Sequence, residues 1–124
     1  MLDFIRIACA VPAVKVGDVK KNAADICAWI QKADARNADV VVFPEMALTG
    51  YTCQDLFFQD ALYEGVKAGL REIVACSAKC PAVTIAVGLP VRLGVQMFNC
   101  AAVISGGKVR GVAAKTYIPI YNEF

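Results

Sequence analysis

Residues 39–45 read Asp39-Val40-Val41-Val42-Phe43-Pro44-Glu45. Three successive β-branched residues and an aromatic, with no polar alternation, predict a strand buried on both faces. Pro44 has no N–H and stops the ladder. Glu45 therefore opens a loop, running to Gln54, at the carboxyl end of a strand, which is where ligands bind in open α/β sheets. Upstream, Phe4 to Val11 reads as another buried strand, ended by Pro12. Between the two, Gly17-Asp18 opens a helix with Asp18 as N-cap. Val19, Ala23, Ile26, Ile30 and Ala33 fall at helical spacing and form one apolar stripe. Lys20 and Lys21 belong to the solvated face, and Trp29 is expected in the core. A helix between two buried strands is a βαβ unit, so the strands are expected to be parallel.

Downstream, Asp60 to Lys79 has the pattern of a second helix, with Leu62, Val66, Leu70, Ile73 and Val74 as apolar positions. Gly65 and Gly69 weaken it slightly. Ala82 to Leu89 is a third strand. Met97 to Ser105 and Lys108 to Ala114 form a hairpin around Gly106-Gly107. The result is an α/β alternation with a late antiparallel pair. Two helices can cover one face of such a sheet, and nothing in the sequence supplies a cover for the other.

The 124 residues suffice for one domain, and 58% of them are hydrophobic. That exceeds the roughly 45–50% of an ordinary soluble domain. No apolar run approaches the ~20 residues of a membrane-spanning helix, and an acid at Asp3 does not suit a signal peptide. The composition therefore fits a soluble piece of a larger apolar core. Net charge is +2 with the signs mixed, which gives no block for nucleic acid or a membrane surface. There is no histidine, so Ser-His and Cys-His catalysis and the commonest zinc ligand are excluded. Six cysteines without a C-x-x-C pair, mostly in apolar segments, read as reduced thiols of a cytoplasmic protein. Cys76 and Cys80 stand one helical turn apart, a spacing metal sites use, but no ligand cluster accompanies them.

Two ionisable residues end strongly apolar runs. Glu45 follows Val40–Pro44, where burial is expected to raise its pKa and make it a better base near neutral pH. Lys115 closes the run Val109–Ala114, where a fixed cation suits an oxyanion. Each has a plainer alternative, a surface glutamate and a snorkelling strand-end lysine.

With their flanks, Pro44-Glu45-Met46-Ala47-Leu48-Thr49-Gly50-Tyr51 and Lys115-Thr116-Tyr117-Ile118-Pro119 resemble the two sequence blocks of the nitrilase superfamily, the carbon–nitrogen hydrolases. The resemblance runs from Phe4 to Phe124. Asp55-Leu56 after the Thr-Gly-Tyr turn narrows it to the glutaminase domains of glutamine-dependent NAD synthetases. Stand-alone amidases or carbamoylases and a truncated non-catalytic module are the alternatives. The resemblance implies a nitrilase-like αββα sandwich, with residues 1–124 as the N-terminal part of the glutaminase domain and about half of the sandwich. It implies Glu45 as general base, Lys115 as stabiliser of tetrahedral intermediates, Glu123 as a positioning residue, and Tyr51 and Tyr121 beside the glutamine pocket. It also implies a cysteine nucleophile beyond Phe124, since neither Cys53 nor Cys100 fits that place. Ile120 departs from the asparagine usual after the second block. No metal and no cofactor is expected within this segment. ATP and Mg²⁺ would belong to a synthetase domain on the same polypeptide, and the whole would be a homo-oligomer.

Overall fold

The computed structural model describes residues 4–116. Its elements are β1 (Ile7–Cys9), α1 (Val19–Ala35), β2 (Val40–Val42), a 3₁₀ helix (Gln54–Phe58), α2 (Asp60–Lys79), β3 (Thr84–Leu93), β4 (Gln96–Ser105) and β5 (Lys108–Ala114). They form one five-stranded sheet in the order β1-β2-β3-β4-β5. The pairs β1–β2 and β2–β3 are parallel, and β3–β4 and β4–β5 are antiparallel.

The sheet is parallel at one side because each of the first two connections contains a helix long enough to return the chain. Asp18 caps α1 by accepting from the Lys21 N–H at 3.1 Å. All five residues of the α1 apolar stripe are buried, and Ile26, Ile30 and Ala23 are wholly so. They pack with Leu62, Val66 and Ile73 of α2 on Val41, Ile85, Val87, Ala102 and Ile104 of the sheet. A fully buried isoleucine contributes roughly 1.5–3 kcal/mol, so this single layer of helix on sheet supplies the main core. Gly69 serves that packing, since a Cβ there would lie 3.0 Å from Val19 Cγ1 and 3.2 Å from Leu48 Cδ1.

The opposite face is open among the described residues. Register places Cys9, Val42, Ala86 and Val103 side by side on it, and Gly88, Ala101 and Ala113 in the next row. Three expectations are corrected here. Val40–Val42 is buried on one face only, because Val41 meets the helices while Val42 points to the open side. The strand expected over Phe4–Val11 pairs only at Ile7–Cys9, and Phe4, Ile5, Ile7 and Val11 are exposed. As the edge strand, β1 has a neighbour on one side and a cover on one face. Trp29 is 37% exposed. It sits at the rim of the α1 stripe, beside the edge strand, with the Lys32 ammonium 4.5 Å above its ring.

The antiparallel part is a three-stranded meander, one strand more than the expected pair. The third strand, expected over Ala82 to Leu89, runs through Pro90 to Leu93. Past Ala86, β2 no longer accompanies β3, so Pro90 lies on a locally free edge, where proline is tolerated. Among the described residues, no helix is long and apolar enough to cross a membrane.

Candidate active site

Where β2 ends, the chain stays against β3 as a tight loop. Phe43 N–H donates to the Ala86 carbonyl at 2.9 Å, and Leu48 N–H donates to that of Gly88 at 3.1 Å. Between them the backbone reverses. Ala47 N–H donates to Pro44 O at 3.1 Å, Gly50 N–H donates to Met46 O at 2.7 Å, and Met46 takes a left-handed φ of 55°. Wholly buried Met46 and Leu48 side chains pin the loop, and the Asn22 amide donates to the Leu48 carbonyl at 3.1 Å. The loop lies so close to β3 that a Cβ on residue 88 would stand 2.6 Å from Pro44 O and 2.9 Å from the Glu45 carbonyl carbon. Only glycine fits there.

Glu45 is thereby held at the rim of the open sheet face. Lys115 follows the last residue of β5, and its N–H donates to the Asn99 carbonyl at 2.8 Å, one step beyond the β4–β5 pairing. Lys115 Nζ reaches Glu45 Oε1 at 2.8 Å across 70 residues of sequence. The side-chain amide of Asn99 donates to the same Oε1. Asn99 was missed from sequence. The available signal was one amide within the apolar run of β4, a polar group that must find a partner when buried. The three residues border an open groove of about 490 Å³ floored by Ala86, Gly88, Ala101 and Ala113. Small floor residues leave room for a ligand or for another layer of chain.

The pKa of Glu45 is lowered, where the sequence led us to expect a raised one. The hydrogen bond from Lys115 is the main cause, burial pushes the other way, and the Asn99 bond adds to the lowering. Glu45 is only partly enclosed, so the donors outweigh the loss of water. The carboxylate is ionised at neutral pH, the form that accepts a proton.

The other expected residues divide. Tyr51, later on the same loop, packs partly buried against the hydrophobic core. Tyr121, Glu123 and Ile120 lie outside the described residues. Cys53 is buried, with its thiol 3.3 Å from the Thr49 carbonyl and 3.4 Å from that of Gly50, and burial raises its pKa. Cys100 is buried in register with Ala102 and Ile104, and its pKa is also raised by burial. Neither has the lowered pKa and access of a reactive thiol. Among the described residues, no group of three or more His, Cys, Asp or Glu side chains is placed to hold a metal ion. A second cavity, of about 680 Å³, lies between the 3₁₀ helix and the β3–β4 turn. Its cation, Arg92, is engaged by Asp60 at 2.6 Å and by the Tyr63 ring at 4.5 Å.

A carboxylate and an ammonium brought together at strand ends, on a sheet with one helical layer and one open face, define the class. The chain belongs to the carbon–nitrogen hydrolase family, whose model matches residues 6–124. Particular relatives narrow the comparison. The chain is 36% identical over 121 residues to a glutamine-dependent NAD(+) synthetase of Mycobacterium leprae, covering 98% of this chain and 18% of that protein. It is 37% identical over 125 residues to the one of Xylella fastidiosa, covering 100% and 22%. The chain thus spans about a fifth of the length of these relatives. Among solved structures, a glutamine-dependent NAD(+) synthetase from Cytophaga hutchinsonii superposes with a TM-score of 0.82 at 30% identity, over 94% of this chain and 20% of that one. An amidase from Nesterenkonia sp. superposes with a TM-score of 0.85 at 20% identity, over 96% and 45%. That last likeness concerns the fold alone. The described sheet and helices are therefore a part of the nitrilase fold, a little under half by the amidase.

Proposed function

We propose that residues 1–124 are part of a glutaminase domain that releases ammonia from glutamine for NAD synthesis within a longer polypeptide. The observation that carries this reading is the Glu45–Lys115 contact of 2.8 Å at the rim of the open groove. Identities of 36–37% with glutamine-dependent NAD(+) synthetases favour that substrate over those of stand-alone amidases.

In this mechanism a cysteine supplied outside the 124 residues gives its thiol proton to the Glu45 carboxylate as its sulfur bonds to the side-chain amide carbon of glutamine. The amide oxygen becomes an oxyanion, and the Lys115 ammonium stabilises it. Glu45 returns the proton to the nitrogen, the C–N bond breaks and ammonia leaves. Water, losing a proton to Glu45, then attacks the thioester carbon, the C–S bond breaks, Glu45 returns the proton to the cysteine sulfur and glutamate is released. In this reading Tyr51 and Tyr121 serve the glutamine pocket and Glu123 helps position the catalytic groups. ATP and Mg²⁺ serve the amidation of nicotinic acid adenine dinucleotide in a further domain, and no cofactor enters the glutaminase step. The six free thiols support a cytoplasmic setting, and the assembled enzyme is a homo-oligomer.

The test supplies the natural-length protein with glutamine labelled with ¹⁵N at the side-chain amide, together with ATP, Mg²⁺ and nicotinic acid adenine dinucleotide. Mass spectrometry then reads the product. NAD carrying ¹⁵N in its carboxamide is expected. Labelled ammonia without labelled NAD would reduce the protein to an amidase, and neither product would overturn the reading.

A further inference from the structure

Asn99 touches both ends of the Glu45–Lys115 pair through different atoms. Its side-chain amide donates to Glu45 Oε1, and its backbone carbonyl accepts from the Lys115 N–H at 2.8 Å. It is only 6% exposed and stands opposite Pro90 in the β3–β4 pairing. We propose that Asn99 is a further positioning residue of this site, holding Glu45 and Lys115 in one register and loading both donors onto Oε1 so that Oε2 exchanges the proton. The proposal rests on the amide-cleaving reading above.

The geometry argues this in two steps. A glutamate on a loop and a lysine after a strand end are long side chains with many rotamers, and an ion pair of partly exposed groups does little by itself to fix them. Asn99 lies within β4, opposite Pro90 of β3 on one side and one step beyond the β4–β5 pairing on the other, so it lends the rigidity of the sheet to both groups. Oε1 then accepts from Asn99 Nδ2 and Lys115 Nζ, while Oε2 has no hydrogen bond among the described residues. A base needs an uncommitted lone pair, and Oε2 has one. Among the described residues, Lys115 is the charged group bonded to Glu45, and Asn99 is the neutral donor beside it.

The test uses Asn99→Ala and Asn99→Asp. Asn99→Asp keeps the shape but replaces the donor with a second carboxylate. In the natural-length protein, a ¹³C NMR titration of the Glu45 side-chain carboxyl reads the contact without needing activity. Its midpoint is expected to rise in Asn99→Ala and to rise further in Asn99→Asp. In the natural-length protein, the acid limb of the glutamine-hydrolysis profile is expected to move up likewise. In that protein kcat should fall roughly 10- to 100-fold in Asn99→Ala, the loss of one hydrogen bond to a charged group, with KM little changed. Added to Glu45→Gln, Asn99→Ala should cost almost nothing more. An unmoved Glu45 midpoint, a loss confined to KM, or full additivity with Glu45→Gln would overturn the proposal. Should Asn99→Asp fail to fold, Asn99→Ser, which keeps a donor, must hold the midpoint closer to wild type than Asn99→Ala does, and the reverse order would overturn it. A moved midpoint in a protein that hydrolyses no glutamine would leave the positioning role standing and remove the amidase reading instead.

Discussion

Replacing Gly88 with alanine separates two opposed effects. In a strand, alanine is ordinarily the more stable residue by roughly 0.5–1 kcal/mol, because glycine loses more backbone freedom on folding. Here the added methyl would meet the Met46 nitrogen first, then Pro44 O at 2.6 Å and the Glu45 carbonyl carbon at 2.9 Å, all of them backbone. To restore ordinary contact at 3.4 Å with the nearest of these, the loop must withdraw by about 1 Å. That strains the Leu48–Gly88 hydrogen bond and carries Glu45 with it. Overpacking of this kind costs about 1–3 kcal/mol, so the steric effect wins and Gly88→Ala should destabilise by roughly 1–2 kcal/mol. Gly65→Ala is the control. Its methyl would find Val19 Cβ at 3.6 Å, an ordinary contact, so the helix should gain about 0.5–1 kcal/mol. Urea denaturation of the two variants and the wild type, with equal slopes, gives both values. A Gly88→Ala protein at least as stable as wild type would refute the close approach of loop and strand that positions Glu45.

Further outcomes follow from the same coordinates. Because its folded pKa is lowered, Glu45 adds stability that is present above its ordinary value of 4.5 and lost as pH falls through the lower folded value. The stability difference between wild type and Glu45→Gln should therefore be flat near neutrality and shift against wild type only below that range, and denaturation across a pH series showing change confined to neutral pH would contradict this. Burial and the neighbouring Cys76 push the Cys27 thiol up to about 12, whereas Cys9 is exposed. Iodoacetamide at pH 8 should therefore label Cys9 first and spare Cys27 until unfolding, as peptide mass spectrometry would read. The open sheet face carries Val42 and Val103, so the 124-residue chain should self-associate and bind a hydrophobic dye. Val42→Thr with Val103→Thr should weaken both in sedimentation and fluorescence, and a wild-type chain that sediments as a dye-free monomer would oppose this.

Much of the architecture was legible because it depends on local period and punctuation. The α1 stripe, the Asp18 cap, the parallel βαβ order and the Gly106-Gly107 turn all follow from spacing, and the structure has each of them. The open face was legible too, since uniformly apolar strands outnumbered the helices able to cover them. What failed depends on neighbours. β1 reads as buried, but its place at the edge exposes it. The third strand was expected to end at Leu89, but a proline at position 90 on a free edge lets it run on to Leu93. The pKa of Glu45 went the wrong way because the sequence shows the apolar flank and not the donors 54 and 70 residues away. Asn99 and Gly88 belong to the site through contacts that span the sheet, which no local pattern encodes.

The most direct measurement compares glutamine-dependent and ammonia-dependent NAD formation by the natural-length protein, as wild type and as Glu45→Gln. The account predicts that Glu45→Gln abolishes NAD formation with glutamine and leaves formation with ammonium chloride intact, because only the ammonia-generating step uses this carboxylate. Glutamine-dependent activity equal to wild type would contradict the central claim that Glu45 and Lys115 are the amide-cleaving pair.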